Sequence, residues 1–197
     1  MTSDPMGTAE SEYLPRLGSL TPEQRVTFRV GQITRLTVKM ERHVRDVLDI
    51  LRGVTPTNSH SGPESFGALV AEVKALLRTA NPTFIEPALI ALDSARDTYH
   101  ARSRFVHDYL WSVSESTWQR RSTENSYEPK HRTELDERAI ILAVLDVAQC
   151  GYRMWGLAQL AVDIGIATPD AFWISMLDCR IKLLDDGTLQ TTVPGHG

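Results

Sequence analysis

Arg102 and His107 are the two residues of this chain whose types and spacing best suit chemistry. They lie in the run Ala101-Arg102-Ser103-Arg104-Phe105-Val106-His107. An arginine is a permanent cation with a planar fork of donors, whereas a histidine titrates near neutral pH. Such a pair suits a phosphate. The guanidinium stabilises charge developing on the non-bridging oxygens, while the imidazole moves a proton. That chemistry requires neither a metal nor another cofactor, and none is expected.

The element that must position these groups is a helix predicted over residues 86–113. Its apolar seam reads Ala88, Leu92, Ala95, Tyr99, then Arg102, then Val106, Leu110 and Val113, with gaps of three or four throughout. Arg102 therefore stands where an apolar residue is expected. An unpaired buried guanidinium costs several kcal/mol, so its head must reach a partner, an open cleft or, by snorkelling, the surface. His100, Arg104, His107 and Trp111 form a neighbouring stripe at the same spacing. Two histidines and a tryptophan read either as ordinary surface and packing residues or as a cleft or dimer face. On a helix, Arg102 and His107 are about 140° apart, so a long arginine can wrap toward the histidine's face.

Three further helices are predicted around this one. Thr21, Pro22 and Gln24 form a capping-box start for a helix over residues 22–52, with apolar residues from Val26 to Leu51 at helical spacing. A second covers residues 64–80 and stops at Asn81-Pro82. A fourth covers residues 133–166, capped by Thr133, and a short fifth begins at Thr168-Pro169-Asp170 and runs to about residue 177. The fold class expected is all-α, an up-and-down bundle of four long helices plus a short fifth. Residues 1–20 read as a mobile tail, 21–179 as the bundle domain, and 180–197 as a C-terminal extension. Asp186-Gly187 marks a small hairpin within that extension. The connection over residues 114–132 is long enough to be functional or disordered.

Composition narrows the function classes. The net charge is −4 over 197 residues, so binding of a polyanion must be local. Residues 96–132 carry seven Lys or Arg against five Asp or Glu, and the tip with Arg120, Arg121, Lys130, His131 and Arg132 is its basic end. Trp118 and Tyr127 could stack on bases there. Cys150 and Cys179 lack partners at zinc or disulfide-framework spacing. No apolar leader precedes the first helix, and Asp146, Arg153 and Asp163 interrupt the most apolar stretch. A buried helix in a cytoplasmic protein, with no membrane partner, is the expectation.

At Arg102 and His107 the sequence resembles the HEPN superfamily of small helical proteins. Its mark is an Arg, four to six residues and a His near the end of a long helix, commonly with a polar residue after the Arg. Ser103 takes that polar position. The family often has Asn there and Gly after the His, where this chain has Ser103 and Asp108. The long first helix, with Glu41 midway, and the long last helix extend the likeness over residues 22–166. The resemblance implies a homodimer whose motif helices line one cleft, and in many members a metal-independent endoribonuclease of the toxin or phage-defence type. It assigns the scissile phosphate to Arg102 and proton transfer to His107. Supporting contacts fall to Ser103 and Arg104, with His100 and Trp111 on the same face. RNA and an antitoxin or other protein are the partners implied. Two other readings stand beside it: a non-catalytic helical interaction module using the Trp111 stripe, and a bundle holding a small ligand between helices.

Overall fold

A computed structural model describes residues 17–55, 63, 65–107, 109–112, 117–121, 132–165, 168–185 and 189–194, with residues 103–107, 109–112, 117–121 and 132–137 described as backbone only. The chain is predominantly helical. Helix α1 (Pro22–Leu51) is followed by α2 (Phe66–Ala80) and α3 (Ile85–His107). Strands β1 (Tyr109–Ser112), β2 (Thr117–Arg121) and β3 (Arg132–Asp136) come next. Then follow α4 (Glu137–Val162), α5 (Ala171–Met176), β4 (Arg180–Leu183) and β5 (Leu189–Thr192).

The first helix begins where its capping box predicts. The Gln24 amide donates to Thr21 Oγ1 at 3.2 Å, and the Thr21 amide donates to Gln24 Oε1 at 2.9 Å. Two amides left over at the helix start are thereby satisfied. Thr21→Ala is expected to cost about 1 kcal/mol in denaturant unfolding, with Thr21→Ser close to the parent. Equal losses in both variants would remove the cap from the account. Gly53 ends α1 at φ +70°, and Asn81 closes α2 in the left-handed region at φ 46°, as the stop signals predict.

The apolar stripes converge on one core. Met40, Val44 and Leu48 of α1 meet Leu69, Val73 and Leu77 of α2. Ala88, Leu92 and Ala95 of α3 close on them, as do Met154, Leu157 and Leu160 of α4. Helix α4 packs most extensively along α1 and also against α3 and α5. By length and apolar content alone, α4 is the one described helix that could cross a membrane, and half of that apolar window is buried by this packing. A Cβ added at Gly156 would lie 2.8 Å from Met176 Cβ and 3.4 Å from the Trp173 carbonyl oxygen, so glycine sets how closely α5 approaches α4. Gly156→Val is expected to destabilise by about 1–3 kcal/mol through overpacking. An unchanged melting midpoint would show that α5 yields freely.

The structure corrects the expectation between α3 and α4. The third helix ends at His107 rather than near residue 113, and Leu110 and Trp111 lie on β1. Thr133 lies on β3 opposite Arg120 and caps no helix, since α4 begins at Glu137. The expected loop contains β2, and β1-β2-β3 form an antiparallel sheet in that order. The sequence Tyr109-Leu110-Trp111 suits a strand at least as well as a helix, and cross-strand pairing with residues 118–121 decides the matter. β4 and β5 form a second antiparallel pair, and the Asp186-Gly187 turn expected between them lies outside the described residues. This C-terminal segment is tied to α4: the Ile181 amide donates to Gln149 Oε1 at 2.9 Å, and Arg153 Nε donates to the Cys179 carbonyl at 3.1 Å. Residues 1–16, read as most of the tail, lie outside the described residues.

Candidate functional site

The seam of α3 holds up to its anomaly. Ala88, Leu92 and Ala95 are fully buried, and Tyr99 packs against the core cluster from its edge. Tyr99 also stacks on Phe66 of α2, with ring centroids 4.4 Å apart and planes 15° from parallel. One turn on, Arg102 is half-buried. Its guanidinium carbon stands 5.2 Å from the centroid of the Tyr99 ring, a cation–π distance. Its Nε is buried and has no hydrogen-bond partner. Arg102 forms no ion pair with any described residue.

Arg102 lines an open cavity of about 310 Å³ enclosed by three helices. Ile33 of α1, Thr98 of α3, and Leu142 and Asp146 of α4 form the other walls the chemistry depends on. Among the described residues, Arg102 lines this cleft and has no carboxylate partner. Asp146 faces the same cavity without pairing to it. Burial pushes the Asp146 carboxyl above the ordinary carboxylate range, and the positive charge of Arg153 partly opposes that rise. The site thus offers one cation with a free donor and one carboxyl that retains its proton more readily than usual.

Behind the cavity a polar strip leads toward the C-terminal segment. Thr98 Oγ1 is 3.2 Å from Cys150 Sγ, and Ser94 Oγ is 3.5 Å from the same sulfur. Arg153 Nη1 donates to Ser94 Oγ at 3.2 Å. These contacts satisfy groups that α3 and α4 would otherwise bury unpaired. They also hold the two helices in register beneath the cavity. Among the described residues, no three His, Cys, Asp or Glu side chains converge in a way that could hold a metal ion.

The other sequence-predicted residues divide into three groups. His100 is exposed and stands edge-on to Tyr99 at 6.3 Å, next to the cation–π pair but outside the cavity. Ser103, Arg104 and His107 continue the α3 backbone, so the helical phase between Arg102 and His107 holds, while their side chains lie outside the described residues. Trp111 leaves the stripe altogether. It pairs in register with Gln119 on β2, so the four-residue face from His100 to Trp111 is not a helix face. Sequence reasoning missed Thr98 and Asp146 as cavity residues. Asp146 interrupts an otherwise apolar helix, and that was the available signal. Compared with protein-family models, with curated proteins and with solved structures, the chain matches none of them.

Proposed function

We propose that this chain is an HEPN-like helical bundle that acts in the cytoplasm as a homodimer, binding RNA and cleaving it by metal-independent acid–base chemistry. One observation carries the reading. The Arg102 head, with a buried and unpartnered Nε, opens on a cavity near the C-terminal end of the helix that bears His107. A phosphate lying in that cavity would neutralise the cation. His107, five positions further along the same continuous helix, would exchange the proton of the attacking 2′-hydroxyl. Ser103 and Arg104 between them would assist with phosphate contacts. The sheet that follows adds a smaller support: its register sets Arg121 opposite Arg132, a like-charged pair that a polyanion would neutralise.

The test is incubation of purified protein with total and synthetic RNA in excess EDTA. Cleavage with 2′,3′-cyclic phosphate ends supports the reading. Cleavage that requires added magnesium, or intact RNA that also fails to bind, overturns it.

A second reading is a non-catalytic helical dimerisation or interaction module without nuclease activity, for which Leu142 is the apolar contact residue at the cavity. This leucine lines the same cavity and is 43% exposed, an apolar edge suited to a protein contact. RNA binding lost and dimerisation retained in the assay would favour it.

A further inference from the structure

On the α1–α4 surface lies a second concavity that shares no residue with the Arg102 cavity. It has two lobes, of about 220 and 580 Å³, and Lys39, His43 and Trp155 line both. The larger lobe falls within the range of roughly 300–1,000 Å³ usual for small-molecule sites. The smaller lobe is walled by Leu36, Ala148, Gly151 and the ring of Tyr152. The larger opens past Arg42, Asp46 and Gln159. An apolar, aromatic interior thus adjoins a polar mouth.

Three features give this concavity the character of a prepared site. The first is Trp155, whose indole is braced edge-on by Trp173 of α5 at 4.9 Å and 80°. A ring already held in place loses little freedom when a ligand stacks on it. The second is Gly151. Glycine inside a helix is disfavoured relative to alanine, yet a Cβ at this position would meet no heavy atom within 4 Å. Packing within the chain does not require the glycine, and its effect is to keep the floor of the smaller lobe open. The third is charge. Lys39 forms no ion pair with any described residue, and Arg42 stands at the same mouth. The one carboxylate lining either lobe is Asp46, whose Oδ2 is 3.7 Å from His43 Nδ1. Burial holds His43 below the usual histidine range, against the pull of Asp46.

We propose that this concavity binds a small planar aromatic anion, its ring against Trp155 over the Gly151 floor and its anionic group held by Lys39. An aromatic carboxylate and a nucleoside monophosphate share that chemistry, and the test separates them. The full chain is titrated with indole-3-acetate and with adenosine 5′-monophosphate, each beside its neutral counterpart, indole-3-acetamide and adenosine. Calorimetry and tryptophan fluorescence are the readouts.

At least one anion is expected to bind saturably, with its neutral counterpart at least about fivefold weaker, the scale of one screened charge contact. The anion that binds more tightly identifies the source. Gly151→Leu fills the floor and is expected to weaken binding at least tenfold, with the circular dichroism of the parent because leucine favours helix. Lys39→Gln, an exposed change that spares the fold, is expected to weaken it about fivefold. No binding of either anion up to about 1 mM, equal binding of the neutral compounds, or affinity unmoved by both variants would overturn the proposal.

Discussion

If the proposed ribonuclease reading holds, Arg102→Ala is expected to lower RNA cleavage by about 10²–10³-fold, the loss typical of one preorganised donor to developing charge. His107→Ala is expected to lower it by about 10²–10⁴-fold, the range for a general acid or base. The structural cost of the first change should be small. Arg102 contributes no ion pair with any described residue, its Nε has no hydrogen bond to lose, and the Tyr99 contact at 5.2 Å is worth about 0.5–1 kcal/mol. Thermal unfolding of Arg102→Ala beside the parent therefore separates function from folding. Activity lost with a near-parental midpoint places Arg102 at the reacting phosphate. Activity retained in both Arg102→Ala and His107→Ala would sink the assignment. Arg102→Lys should recover little, because an ammonium keeps the charge but loses the planar fork.

Leu92→Ala is expected to be the most destabilising of the changes considered, at about 3–5 kcal/mol. That is a large share of the roughly 5–15 kcal/mol of a typical domain. Leu92 is fully buried at the centre of the α3 seam and belongs to the main core cluster. Its removal leaves a cavity that fixed helices cannot close. Leu142 on α4 is 43% exposed, and Leu142→Ala is expected to cost well under half as much. Urea unfolding of both variants gives the comparison directly. Equal losses would mean that the seam assigned to α3 does not orient the helix, and the placement of Arg102 would lose its foundation.

The periodicity of α3 illustrates where sequence reasoning succeeds and where it stops. Over residues 88–102 the seam is real, because one helix face meets a continuous apolar surface from α2 and α4. Beyond His107 the same spacing continues in the letters, yet the chain leaves the helix. Leu110 and Trp111 match a helical seam and a strand equally well, and nothing local separates the two. Pairing of β1 with β2, through partners up to 12 positions away in register, and of β2 with β3 decides it. Thr133 failed as a cap for the same reason. A threonine before acidic residues is a helix start only when no neighbouring strand claims its backbone.

Asp146 and Lys39 make the complementary point. Each was visible as a charged residue on a long helix, but its neighbours were not. Asp146 meets Arg102 across a cavity because α4 lies alongside both α1 and α3. Lys39, His43 and Trp155 share a concavity because α1 and α4 run along one another.

By itself, the sequence determined the predominantly helical character, the starts and stops of α1 and α2, the buried stripes and the anomaly at Arg102. These depend on interactions within three or four residues, where capping groups and helical spacing act. Only the tertiary structure decided that α3 ends at His107, that a sheet replaces the expected loop, and that Arg102 lines a cavity between three helices. Those outcomes depend on which distant backbone pairs with which strand and on which faces three helices leave uncovered. That competition is settled by packing of the whole chain.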